Sequence, residues 1–150
     1  MRATERVLSE EPFVVRREVR WGDCDPAGVV YTGKYTDYLL GAVALYTEFL
    51  GQGRRLGEVH GVGTPCKAMS FEFLGTLWPG DIIDIKCSIG EIRTKSFDIH
   101  IFARRPDASD VFKGVFSPIC VFQDRRQGTQ IPDTLREVLA REALKNKDEH

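Results

Sequence analysis

The sequence is poor in histidine and cysteine, and neither residue occurs in a pattern that could hold a metal ion. Its 150 residues include 3 His and 4 Cys. Zinc sites and redox-active dithiols need such residues only a few positions apart, whereas the cysteines stand far from one another, at positions 24, 66, 87 and 120. We therefore expect no metal site, and we expect each cysteine to be a reduced thiol or a small, partly buried residue.

Long apolar runs, a secretion signal and an excess of one charge are also missing. No run approaches the roughly 18 apolar residues that a membrane span needs, and residues 1–11 are polar and mixed in charge. The 21 basic and 22 acidic residues give a net charge of −1, which excludes a broad electrostatic surface for nucleic acid. The length predicts one domain over residues 1–150. We expect a cytoplasmic protein with neither a nucleic-acid partner nor a membrane span.

Hydrophobic periodicity predicts one long helix among several strands. Apolar residues recur every three or four positions over 34–50, which is typical of an amphipathic helix. A second helix is expected in the C-terminal segment 132–150, and residues 1–12 are expected to form an N-terminal extension. Residues rich in β-branched and aromatic side chains, separated by turn residues, predict five strands, over 13–21, 67–77, 81–94, 95–104 and 111–123.

This order of elements indicates an α+β fold in which a curved antiparallel sheet of about five strands wraps around one long central helix. Consecutive strands joined by short turns pair as antiparallel neighbours, and the apolar stripe of the helix must be buried against them. Gly41 lies inside that helix and costs about 1 kcal/mol relative to alanine, so something is expected to pack closely there. A single helix leaves sheet edges uncovered, which favours edge pairing into a dimer.

The segment from Trp21 to Tyr31 is the best candidate for chemistry. Its sequence W-G-D-C-D-P-A-G-V-V-Y places two acids and a thiol in a glycine-rich loop before the helix. A helix N-terminus presents unpaired N–H groups and partial positive charge, which would polarise a carbonyl oxygen placed there. Acids in such loops are also ordinary turn and capping residues. Both interpretations remain open on composition alone.

These residues resemble the 4-hydroxybenzoyl-CoA thioesterase family of the hotdog fold, whose signature is aromatic-G-D-x-D-x-x-G-x-V-Y before the central helix. The stretches G-V-G-T-P at 61–65 and R-T-K-S-F at 93–97 agree with it, and the likeness extends from about Val15 to Arg126. The resemblance implies hydrolysis of an acyl-CoA thioester by a homodimer or homotetramer. Coenzyme A is then part of the substrate, and no separate cofactor is expected.

The resemblance implies that Asp25 is the catalytic carboxylate, acting either as a nucleophile or as a general base for water. It also places the backbone N–H of Thr32 on the thioester carbonyl oxygen. Asp23 is expected to brace the loop by accepting backbone hydrogen bonds. Cys24 is the rival nucleophile, but the two flanking carboxylates disfavour its thiolate.

Further residues are expected to bind the substrate. The resemblance makes Arg93 and Lys95, with the adjacent Ser96, contacts for the phosphates of CoA, although basic residues at strand ends can equally guard a sheet edge. Leu40 and Thr64 are expected to contact the acyl part. Relatives often carry an acid where this chain has Leu40, so we expect a small to medium, apolar aliphatic or aryl acyl group.

Two other functions compatible with this fold remain open at this stage. One is a hydratase or dehydratase acting on acyl thioesters, which needs a histidine paired with an acid; residues 21–59 contain no histidine. The other is a non-catalytic module that binds acyl thioesters. The arginine doublets at 16–17, 54–55, 104–105 and 125–126 are scattered along the chain and are expected to be solvated surface.

Overall fold

The computed structural model describes residues 4–147, which form six strands and three α-helices. A short 3-10 helix, Trp21–Asp23, precedes the first α-helix. The strands are β1 (Glu5–Glu10), β2 (Phe13–Glu18), β3 (Cys66–Phe73), β4 (Ile82–Ile92), β5 (Phe97–Arg104) and β6 (Asp110–Pro118). The helices are α1 (Thr32–Leu50), α2 (Leu56–His60) and α3 (Asp133–Lys147).

The six strands form one antiparallel sheet in the order β1-β2-β4-β5-β6-β3. The predicted α+β class and the long central helix are confirmed. The sheet has six strands where about five were expected, because residues 5–10 of the expected N-terminal extension pair with β2. The C-terminal helix begins at Asp133, and residues 1–3 and 148–150 of the two predicted terminal segments lie outside the described residues.

The core lies between one face of the sheet and α1. Alternate residues of β4 are buried, as expected for a strand with one covered face, and they join the buried side chains of α1 in a single apolar cluster. Burial of each large apolar side chain contributes about 1.5–3 kcal/mol, so this contact fixes the position of the helix on the sheet. The α1 side chains concerned are Tyr35, Tyr38, Leu39, Ala42, Val43, Tyr46 and Leu50.

The second long helix, α3, packs on β4 and reaches α1 through a side-chain contact. Leu135 and Leu139 are fully buried in the core, and the hydroxyl of Tyr46 on α1 lies 3.5 Å from Glu142 Oε2 on α3. None of the helices within residues 4–147 is both long enough and apolar enough to cross a membrane.

Trp21 departs from its predicted position. In the strand expected over 13–21, Trp21 would share a face with Val15 and Val19, which are buried. Instead β2 ends at Glu18, and Trp21 begins the 3-10 helix with 78% of its surface exposed. The chain therefore turns away from the sheet immediately before the candidate loop.

Gly41 gives α1 room for a charged pair from the N-terminal strands. Glu5 and Arg17 face each other across β1 and β2, and Arg17 Nη1 lies 3.1 Å from Glu5 Oε2. A β-carbon at position 41 would overlap the Glu5 carboxylate. The expectation that something packs closely against this glycine is confirmed, and the neighbour is an ion pair rather than an apolar side chain.

We predict that Gly41→Ala changes stability in a way that depends on Glu5. In a Glu5→Ala background the substitution should stabilise the protein by up to about 1 kcal/mol, the ordinary gain of alanine over glycine inside a helix. In the native background that gain should vanish or reverse, because the added methyl displaces the paired carboxylate. Urea unfolding of the four proteins in this cycle measures the coupling. Equal effects of Gly41→Ala in both backgrounds would contradict it.

Candidate active site

The loop between β2 and α1 closes on itself through backbone hydrogen bonds. The amide of Asp25 donates to the Val29 carbonyl at 2.9 Å, and the amide of Gly28 donates to the Asp25 carbonyl at 2.9 Å. Gly28 has a φ of 85°, a left-handed conformation that glycine adopts without strain. The half-buried Asp25 accepts a 2.8 Å hydrogen bond from the Ala27 amide on Oδ1. Its carboxylate is thus held in a tight turn.

Asp23 fastens this loop to the first two turns of α1. Its buried carboxylate accepts a 2.8 Å hydrogen bond from the Tyr38 hydroxyl and a 3.1 Å bond from the Arg20 amide. The Lys34 ammonium group lies 3.4 Å from the other carboxylate oxygen. Burial favours the neutral acid, but these donors outweigh it and hold the pKa of Asp23 below its ordinary value. The prediction that Asp23 braces the loop is confirmed.

Cys24 lies between the two acids in a setting that suppresses its thiolate. Partial burial, followed by the negative charges of Asp23 and Asp25, raises the pKa of the Cys24 thiol. Its Sγ lies 3.6 Å from the Arg20 carbonyl oxygen, to which the thiol donates. The thiolate is the nucleophilic form of cysteine. The expectation that the flanking carboxylates disfavour this form of Cys24 is confirmed.

The N-terminus of α1 follows this loop directly. The helix begins at Thr32, which is exposed, and the preceding residue, Tyr31, makes no side-chain capping hydrogen bond. The first turn also contains no acidic residue. The first amides of a helix have no partner within it and carry partial positive charge. The chain therefore presents hydrogen-bond donors for an anionic or polarised oxygen beside the loop that carries Asp25.

An open groove of about 980 Å³ lies at the other end of α1. Its walls come from the last turns of α1, from α2 and from two segments, 62–64 and 121–126. Thr64, expected from the sequence to contact substrate, is one of its lining residues. At 1.5 Å per residue, the start of α1 and the groove-lining Thr47 are about 22 Å apart along the helix. Within one chain, Asp25 and the groove are therefore well separated.

Comparison with known proteins identifies the family. The family model of the Thioesterase-like superfamily matches residues 19–139. A 4-hydroxybenzoyl-CoA thioesterase from Pseudomonas sp. (strain CBS-3) is 32% identical over 105 residues, covering 66% of this chain and 73% of that protein. The chain belongs to the Thioesterase-like superfamily. It is a thioester hydrolase, and the resemblance seen in residues 21–31 is confirmed.

Solved structures agree with this assignment. A thioesterase-superfamily protein from Jannaschia sp. CCS1 is 25% identical with a TM-score of 0.80, over 95% of this chain and 97% of that one. The crystal structure of the Pseudomonas 4-hydroxybenzoyl-CoA thioesterase is also 25% identical, with a TM-score of 0.71 over 83% and 96% of the two chains. The predicted hotdog fold is therefore confirmed for this thioesterase.

The three residues expected to bind CoA phosphates occupy different environments in the thioesterase. Both terminal nitrogens of Arg93 pair with Asp98, at 2.9 and 2.8 Å, and the Arg93 guanidinium holds the pKa of Asp98 below its ordinary value. Ser96 is buried, with 3% of its surface exposed. Lys95 is exposed and packs beside Gly128. Lys95 is therefore exposed, Ser96 is not, and the Arg93 side chain is 39% exposed while it is engaged by Asp98.

The groove of this thioesterase brings together arginines from two doublets, 54–55 and 125–126, that were expected to be scattered over the surface. Arg55, Arg125 and Arg126 all line it, although about 70 residues separate Arg55 from the other two. The Arg125 guanidinium stacks over the Phe122 ring at 4.0 Å and pairs with Asp124 at 3.5 Å. No sequence pattern links the two doublets. Only the folded chain brings them together.

Leu40 lies on the solvent-facing stripe of α1, with 41% of its surface exposed. It is one helical turn before Ala44, which lines the groove, so both project from the same side of the helix. Strand β3 is also exposed on both faces and pairs with β6 along one edge. Met69 and Phe73 on this strand are 42% and 50% exposed. The thioesterase thus presents apolar surface beside a strand edge with which no other strand of residues 4–147 pairs.

Proposed function

We propose that this thioesterase hydrolyses acyl-CoA thioesters and that Asp25 is its catalytic carboxylate. The observation that carries the proposal is the position of Asp25, in a closed loop that Asp23 fastens to α1. The loop that carries Asp25 leads directly into the N-terminus of α1, where the helix presents N–H groups and partial positive charge. Proton acceptance or nucleophilic attack can then act together with stabilisation of the carbonyl oxygen.

The proposed mechanism uses the backbone N–H of Thr32 to hold the thioester carbonyl oxygen. In one route an Asp25 oxygen attacks the carbonyl carbon, the carbon–sulfur bond breaks, and CoA leaves as the thiolate. Water then hydrolyses the resulting mixed anhydride and returns the carboxylate. In the other route Asp25 accepts a proton from water as the water attacks. Both routes need no cofactor besides the coenzyme A of the substrate.

Asp25→Asn should abolish most turnover while preserving the loop. Asparagine can still accept the Ala27 hydrogen bond but can neither attack nor accept a proton, so we expect kcat to fall at least about 100-fold. The measurement is CoA thiol release from a panel of acyl-CoAs, with CoA binding followed by calorimetry. Cys24→Ala is the control and should keep kcat within about threefold.

Two results of this panel would contradict the proposal. Turnover by Asp25→Asn close to that of the native protein would move the chemistry to another residue, with Asp37 or Glu48 on α1 as the next candidates. If the native protein binds every acyl-CoA tested and hydrolyses none, it acts as a binding module.

We further propose that the working unit is a homodimer paired through β3, from which a tetramer could be built. The unpaired β3 edge can extend an antiparallel sheet into a second chain. A two-fold axis perpendicular to that sheet reverses the chain direction of every element that lies in the sheet or packs along it. The two α1 helices would therefore run antiparallel. The Asp25 loop of one chain would then lie near the groove end of the other α1. This arrangement would join the parts of the site that one chain holds apart.

Met69→Lys should disrupt this dimer and its activity together. The substitution places like charges on two facing β3 strands, which is destabilising. We expect sedimentation analysis to show a monomer and thiol release to fall at least about tenfold. Val7→Lys is the matched control, because Val7 lies on the opposite edge strand with a similar exposed fraction, 39% against 42%. A Met69→Lys protein that remains dimeric, or a fully active monomer, would refute the proposed interface.

The proposed CoA contacts are centred on Lys95 and the groove arginines. Lys95 packs beside Gly128, shortly after the segment 121–126 that lines the groove. Arg55 and Arg126 add positive charge to the same region, and such groups suit the phosphates of CoA. Arg93, whose side chain stays 39% exposed beside its ion pair with Asp98, is proposed to contact the phosphates as well, and the buried Ser96 is proposed to support this turn. In the dimer these groups would face a substrate whose thioester lies at the partner's Asp25 loop.

The acyl group is proposed to be apolar, aliphatic or aryl, and of small to medium size. Leu40 offers it a hydrocarbon surface between the groove and the helix N-terminus, and Thr64 is proposed to contact it from the groove wall. Leu40→Asp should shift the acyl-CoA preference toward hydroxylated acyl groups, by about tenfold in relative kcat/KM. Leu8→Asp is the control, since Leu8 on β1 is equally exposed at 40%. An unchanged preference in Leu40→Asp would exclude a role for this position.

A further inference from the structure

The ion pair between Glu5 and Arg17 lies outside the stretch that the family model matches, residues 19–139, yet it reaches into the interior. The Arg17 side chain is 13% exposed and the Glu5 side chain is 23% exposed. The pair is held between the β1–β2 strands and the Gly41 side of α1. A charged pair so enclosed has few alternative positions.

Arg17 connects this pair to Tyr38 on α1. Its guanidinium carbon lies 5.0 Å from the centre of the Tyr38 ring, within the range of a cation–π contact. Tyr38 is completely buried, so packing fixes its ring plane as well. Its hydroxyl then donates the 2.8 Å hydrogen bond to Asp23. The contacts run without a gap from the N-terminal strand to the loop that carries Asp25.

We propose that Tyr38 is a positioning residue for the catalytic carboxylate and that the Glu5–Arg17 pair fixes Tyr38 for this task. Tyr38 acts through Asp23, two residues before Asp25, and touches neither the substrate nor the reacting atoms. The hydrogen bond from the Tyr38 hydroxyl fixes the position of the loop relative to the N-terminus of α1. It therefore fixes the distance from the Asp25 carboxylate to the amides that bind the carbonyl oxygen. This proposal rests on the proposed role of Asp25.

Tyr46 provides a matched control within the same helix. It is also buried, at 1% exposure, and its hydroxyl also approaches a carboxylate, Glu142, at 3.5 Å. It lies two turns after Tyr38, on the side of α3 and away from the loop. Tyr38→Phe and Tyr46→Phe each remove one buried hydroxyl and keep the ring. Only the first removes a donor to the candidate loop.

The test compares kcat, KM and amide hydrogen exchange in these two variants, at a temperature where both are folded. For Tyr38→Phe we expect kcat to fall about 10- to 100-fold with KM within about threefold, because small displacements of reacting groups have effects of this size. The amides of Asp25 and Gly28, which donate to carbonyls within the closed loop, should exchange at least about tenfold faster. Tyr46→Phe should change neither kcat nor the exchange of these amides.

The double variant Glu5→Gln, Arg17→Met tests the first half of the connection. It removes both charges together, which avoids a stranded buried charge. We expect it to lower kcat in the native background and to add little to Tyr38→Phe, since both changes act on the same contact. Fully additive effects would separate the ion pair from Tyr38 and overturn that half of the proposal.

The outcomes also separate this proposal from the role of Asp25. Unchanged kcat and unchanged loop exchange in Tyr38→Phe overturn the positioning role, as do equal effects in Tyr38→Phe and Tyr46→Phe. Faster loop exchange in Tyr38→Phe with full turnover in Asp25→Asn would show that Tyr38 orders the loop but that catalysis lies elsewhere. In that case Tyr38 cannot position the catalytic carboxylate, because Asp25 is not the catalytic carboxylate.

Discussion

The buried hydrogen bond between Tyr38 and Asp23 is the contact on which the candidate site depends. A carboxylate kept from water must be fully satisfied by donors. Here Tyr38 and Lys34 donate from α1, and the Arg20 amide donates from the loop itself. The loop therefore has one well-defined position relative to the helix. The neighbouring residues Cys24 and Asp25 differ in environment as a result: the thiol is disfavoured as an anion, while the acid remains half-buried at the loop surface.

Helix α1 both joins and separates the functional parts of this chain. Its N-terminus supplies amide donors beside Asp25, and its last turns form a wall of the groove that holds Thr64 and the arginines. Because the helix is rigid and packed into the core, these two ends cannot approach each other within one chain. The exposed Leu40 lies on the solvent-facing side of the helix between them. In the proposed dimer, pairing through the exposed β3 edge would bring these two ends together from different chains.

Much of this architecture could be predicted from local sequence, but contacts made through tertiary structure could not. The periodicity of residues 34–50 and the turn-separated strands define the helix and most of the sheet, and the motif at 21–31 indicates the family. Strand β1 was missed because Glu5 faces inward, which breaks the expected apolar alternation and makes sense only opposite Arg17. The engagement of Arg93 by Asp98, and the meeting of Arg55 with Arg126, equally depend on folding of distant segments.

The added strand β1 also affects how far a sheet of this kind can grow. Two chains joined at β3 would share twelve strands, six from each, and both outer boundaries would then be β1. That strand is irregular, with a register shift between Val7 and Ser9, and it displays Arg6 and Glu10 to solvent. Distorted and charged borders resist the addition of further strands. Strand β1 would thus limit the sheet to two chains and prevent further chains from joining it to form fibrils.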